Sequence, residues 1–103
     1  MIVRSWSGRA LPERRGAYPA HFRHAVLPAL RRLPGFLGAE LLERDAGQQV
    51  EFLVLSRWQS LDSVRAFAGP EPDRAVVEPQ AAAALVAYDE AVRHYTIRDA
   101  EAG

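Results

Sequence analysis

The sequence predicts an α+β domain in the order β-α-β-β-α-β, a four-stranded antiparallel sheet with its helices on one face. Three observations lead there. A stripe of apolar residues at helical spacing follows a short strand-like start. Two strand-like runs then flank a turn that contains Gly47, and a capped helical stretch precedes a last β-rich run. At 103 residues the chain has the size of one domain with one modest core. Residues 1–98 read as that domain and 99–103 as a frayed C-terminal tail.

Ile2 to Gly8 mixes β-branched, aromatic and small polar residues, as a first strand does. Gly8, Pro12 and Glu13 turn the chain into a helix whose apolar positions are Tyr18, Phe22, Ala25, Val26, Ala29, Leu30 and Leu33. Pro19 and Pro28 fall inside that stripe, so a kinked or broken helix is expected, ending at Pro34-Gly35. Phe36 to Arg44 and Val50 to Trp58 form a hairpin. Phe52, Leu53, Val54 and Leu55 are apolar in succession, which places that strand mid-sheet with both faces covered. Ser60 caps a helix through Phe67 that Gly69-Pro70 closes, Pro79 opens another before the Ala81 to Ala84 run, and Val92 to Arg98 is the last strand. With right-handed crossovers this is a ferredoxin-like sandwich.

The face away from the helices does not alternate cleanly, since Leu53 and Leu55 lie opposite Phe52 and Val54, and Leu41 is beside Leu42. A second copy of the sheet is the simplest cover, which predicts a homodimer, a dimeric α/β barrel. Burying ~500 Å² of apolar area per subunit would contribute on the order of 12 kcal/mol before entropy losses.

Thirteen basic residues balance thirteen acidic ones, without the positive excess that binding nucleic acid or an anionic membrane requires. Cysteine is absent, excluding disulfides, thiol nucleophiles and Cys-type metal sites. No apolar run reaches membrane-spanning length and the first residues lack a signal-peptide core, so a cytoplasmic protein is expected. Phosphate loops, G-x-S-x-G elbows and H-E-x-x-H motifs do not occur.

The candidate residues are aromatic and imidazole. His21-x-x-His24 has a spacing that can join two rings, but no third ligand converges on them, so no metal is expected. His21 borders the inward face and is a candidate base at a cavity rim. His94 and Tyr95 are neighbours on a strand, so only one of them can look into a given cavity. The plainer arrangement puts Tyr95 in the core and His94 at the face between subunits. Trp58 closes the central strand, where its ring can wall a pocket and its indole N–H can meet a ligand oxygen. Trp6 and Tyr18 offer weaker versions of that role, and Phe22 and Phe67 are further apolar lining candidates.

The runs Glu51 to Trp58, Ser60 to Gly69 and Val92 to Tyr95 resemble the antibiotic biosynthesis monooxygenase family, over nearly the whole chain. The resemblance implies a ferredoxin-like protomer, a homodimer, and a pocket between sheet and helices that binds a small aromatic ligand. It also implies oxygenation of an aromatic or polyketide-type substrate without metal or flavin, hence no cofactor. In those terms Trp58 walls the pocket, His21 or His94 accepts the proton, and Tyr18 or Tyr95 donates a hydrogen bond. Non-catalytic ligand binding and isomerase or cyclase chemistry are the alternatives on this scaffold. The oxygenase branch has an asparagine where this chain has Val54, and no asparagine occurs in the sequence. The haem-degrading branch has a histidine after the tryptophan, and none lies between Trp58 and Val92.

Overall fold

The computed structural model describes residues 1–103. Strand β1 (Ile2–Ala10) leads through a short 3-10 turn into a helix over 17–31, here α1; β2 (Phe36–Ala46) and β3 (Gln49–Trp58) follow. After α2 (Leu61–Ala68) and α3 (Pro79–Ala84) come two short strands, β4 (Ala87–Tyr88) and β5 (Arg93–Thr96). The sheet order is β2-β3-β1-β4, with β5 also on β1, and every pairing is antiparallel. This is the expected ferredoxin-like sheet with its helices on one face, the fourth strand being divided in two.

Helix α1 stays continuous through both prolines. Pro19 sits in its first turn, where a missing N–H breaks no ladder bond. Ahead of Pro28 the helix widens to a π-turn over Phe22–Val26, with the Leu27 N–H bonding the Phe22 carbonyl. Dilating one turn accommodates the proline that a regular helix would have to kink around. The expected break is therefore a local widening.

The hairpin between β2 and β3 is tighter than the sequence suggested. Ala46 pairs with Gln49, leaving Gly47 and Gln48 as a two-residue turn, with Gly47 at φ 72°. Ser60 caps α2 by accepting the Ser63 N–H at 3.2 Å. At Gly8 a Cβ would lie 3.0 Å from both Leu85 Cδ1 and Trp6 Cη2, so glycine lets the segment after α3 close on β1. The Leu85 N–H turns back to Ala82 to end α3, and the Val86 N–H bonds the Arg9 carbonyl, which starts β4 early.

Period two divides each strand's side chains. Ala10, Val50 and Phe52 pack inward with Tyr18, Phe22, Ala81 and Ala84 in one buried cluster. Trp58 packs with Leu30 and Val64 in a second cluster at the far end of β3. Between them lie the middle rungs of the register, Trp6 opposite Val54 and Arg4 opposite Ser56.

Candidate active site

A cavity of about 70 Å³ occupies those middle rungs. Its floor is Arg4, Trp6, Val54 and Ser56 of the sheet, and its roof comes from Tyr18, His21, Val26 and Leu30 of α1. Phe67, Val76, Glu78 and Ala81 close the sides. Val54 and Ser56 are small beside Phe52 and Trp58, the residues flanking them on the same face, and this leaves room between two filled clusters.

Four of the residues singled out in the sequence meet here: His21, Tyr18, Trp6 and Phe67. The His21 side chain is 7% exposed, and its Nε2 is the one fully buried side-chain polar atom without a hydrogen bond. Glu78 Oε1 lies 3.9 Å from it, near enough for charge attraction and too far for a hydrogen bond. Tyr18 stacks obliquely against Trp6 at 5.5 Å, and burial together with the Glu78 carboxylate raises the pKa of its phenol well above the ordinary value. It therefore stays protonated, a donor at the cavity wall. Trp6 spends its own N–H on the Asp89 carbonyl at 2.8 Å and presents only its ring.

The other expected positions need correction. Trp58 is fully buried in the second cluster and does not line the cavity. Its N–H is already donated to Ser56 Oγ at 2.9 Å, and Phe67, stacked on it at 5.9 Å, lines the space in its stead. Phe22 belongs to the core cluster one layer behind Tyr18. The expected arrangement of His94 and Tyr95 is reversed. Tyr95 pairs with Val3 on the outer face and is 52% exposed, whereas His94 pairs with Arg4 and turns inward. His94 is not free to act as a base, because an arginine only donates: Nη1 of Arg4 bonds His94 Nε2 at 3.0 Å, which puts the ring proton on Nδ1, donated to Asp73 at 3.1 Å.

Arg4 itself was not singled out. It is 5% exposed, lines the cavity beside Phe67 at 5.6 Å, and donates to the carbonyls of Pro72 and Arg74 as well as to His94. Burial lowers its pKa to about 10, with Asp73 opposing the fall. The available signal was its place in the inward row Ile2, Arg4, Trp6, Gly8, Ala10, where a charge is unexpected. Ser56 and Glu78 were missed for lack of any motif. His24 is exposed, and no group of acidic and histidine side chains is arranged to hold a metal.

Comparison with known proteins places this geometry. The family model described as antibiotic biosynthesis monooxygenase matches residues 1–79, and the chain belongs to that family. A crystal structure of a putative antibiotic biosynthesis monooxygenase from Deinococcus radiodurans has 17% identity and a TM-score of 0.67, covering 99% of this chain and 97% of that one. An arginine-to-serine mutant of MhuD, with two manganese protoporphyrin IX bound per active site, has 23% identity and a TM-score of 0.64, with complete coverage of both chains. At these identities the likeness is one of fold. No curated protein sequence matches the chain.

Proposed function

We propose that this member of the antibiotic biosynthesis monooxygenase family is a cofactor-independent monooxygenase acting on a small enolisable aromatic substrate, with His21 as proton acceptor. The observation that carries the reading is His21, which lines the aromatic cavity with its Nε2 buried, without a partner, and 3.9 Å from a carboxylate. A buried imidazole left unpaired costs roughly 1–3 kcal/mol, which a folding role does not recover.

The chemistry balances with the groups present. His21 Nε2 takes a proton from a CH₂ acidified by an aromatic ring and a carbonyl, adjacent or conjugated through the ring, and the Glu78 carboxylate attracts the imidazolium that forms. The Tyr18 hydroxyl donates to the enolate oxygen. The delocalised carbanion gives an electron to O₂ and combines with it, and the resulting peroxide takes up a proton. Loss of the second C–H proton and cleavage of O–O leave a carbonyl and one water, so R₂CH₂ and O₂ become R₂C=O and H₂O. Both electrons that reduce the second oxygen atom come from substrate, and apolar walls keep water from the carbanion.

A cavity of about 70 Å³ is smaller than the ~150 Å³ apolar cavity that takes benzene, so even a single-ring substrate requires the 69–78 segment, which supplies Val76 and Glu78 to the lining, to move outward. A porphyrin does not fit this space, and no step here passes through haem. The outer sheet face carries Val3, Leu42, Leu53, Leu55 and Tyr95, Leu42 being 43% exposed, which supports a homodimer with the sheets face to face.

The test is aerobic turnover of 2-indanone and of anthrone by metal-free protein, followed by oxygen uptake. His21→Gln is expected to lower the rate on the order of 10²–10⁴-fold. Proton exchange at the substrate CH₂ that persists without oxygen uptake would reassign the base to an isomerase, and saturable binding without either reaction would leave a ligand carrier.

A further inference from the structure

We infer that the cavity is built for aromatic acids, the carboxylate seated on Arg4 and Ser56. This deepens the functional reading and rests on it in taking the cavity as the ligand site. Arg4 and Ser56 are direct cross-strand partners on the inner face, each 5% exposed and each lining the cavity. The indole N–H of Trp58 occupies an acceptor site of Ser56 Oγ at 2.9 Å, which turns the hydroxyl proton away from Trp58, and no protein acceptor takes it. The three hydrogen bonds of Arg4 use Nη1 and Nη2, leaving its Nε–H without an acceptor. Two donors and a full positive charge thus share one wall.

The charge of Arg4 has no carboxylate in direct contact. Its bonded partners are two carbonyls and a histidine nitrogen, and Asp73, whose side chain is 83% exposed, acts on it by charge without bonding it, its own hydrogen bond going to His94. A buried cation whose hydrogen-bonded partners are all neutral is stabilised further by an anion in direct contact, and a planar carboxylate can take both donors at once. The aromatic walls Trp6, Tyr18 and Phe67 fit the ring that follows it. His21 and Glu78 mark a separate, acceptor-bearing part of the lining, so an acid held at Arg4 is turned with its far side toward the base.

Isothermal titration of the intact protein with benzoate and with benzamide, its neutral near-isostere, tests the assignment. Benzoate is expected to bind at least about tenfold more tightly. In Arg4→Gln, checked for folding by circular dichroism, the preference falls to near unity, and Arg4→Lys retains part of it. Equal affinity for the two probes in the unmodified protein, or no saturation by either below about 10 mM, overturns the inference whatever the variants do. Equilibrium binding needs no oxygen and no proton transfer. Selective benzoate binding with no oxygen uptake by any substrate sinks the oxygenase reading alone. Oxygenation of neutral ketones without benzoate preference sinks only the acid site.

Discussion

Arg4→Met decides whether the buried guanidinium holds the fold or only serves the cavity. Burial lowers its pKa from 12.5 to about 10. At 1.36 kcal/mol per unit, placing the cation there opposes folding by roughly 3 kcal/mol, which methionine would recover. Against this stand three bonds from a charged donor, to Pro72 and Arg74, which tie the segment after α2 to the first strand, and to His94 of β5. At the low end of ~1.5 kcal/mol each they total about 4.5 kcal/mol, so the tether outweighs the desolvation. The expected loss is about 1 kcal/mol in urea unfolding, roughly 5 °C in Tm for a chain of this size. Hydrogen exchange should localise it. The Ala75 amide, bonded to Glu90, and the Val92 amide, bonded to Asp73, should lose protection before the β1–β3 amides do. A methionine variant as stable as the native chain, with both amides still protected, would refute the tether.

His21→Leu should raise stability by about 1 kcal/mol in the same assay, because it removes an unpaired buried nitrogen, while oxygen uptake disappears. Trp58→Phe should cost about 2 kcal/mol from lost volume and the Ser56 bond, with Tm falling and proton abstraction retained, since the ring stands behind the cavity wall. Arg44, hydrogen bonded at 2.6 Å, holds the Glu51 carboxyl below its usual value of 4.5. That contribution is present above pH 4.5 and is lost as pH falls through the lower folded value, so Glu51→Gln should shrink the drop in stability on acidification, read by urea titrations across that range. Leu53→Glu on the outer face should leave circular dichroism unchanged and give a single chain in sedimentation velocity.

The elements legible in the sequence were those whose signal is local. The apolar stripe of α1, the Ser60 cap and the continuous apolar run of β3 each follow from neighbours a few residues away. The divided last strand was not legible in this way. Ala87 and Tyr88 pair with β1 only because Gly8 admits Leu85, a contact 77 positions distant in sequence that no periodicity records. The π-turn lies between these cases. Pro28 announced a disturbance, but whether a helix bends or dilates around a proline depends on what packs over it, here Phe22 and Leu30 held in separate clusters.

The site shows the same limit from the chemical side. Period two correctly forbade His94 and Tyr95 from sharing a face, but it could not say which turns inward; that is fixed by the pairing of His94 with Arg4 and of Tyr95 with Val3. Once His94 is inward, the donor-only chemistry of arginine removes it as a base, and His21 remains as the cavity-lining imidazole with an unpartnered nitrogen. Trp58 illustrates the converse. A tryptophan at a strand end reads as a wall when its N–H is assumed free, yet Ser56 two residues earlier on the same face takes that bond. That contact seals the tryptophan into the core and turns the serine's proton away from it, so the residue expected to meet the ligand instead prepares its neighbour to do so.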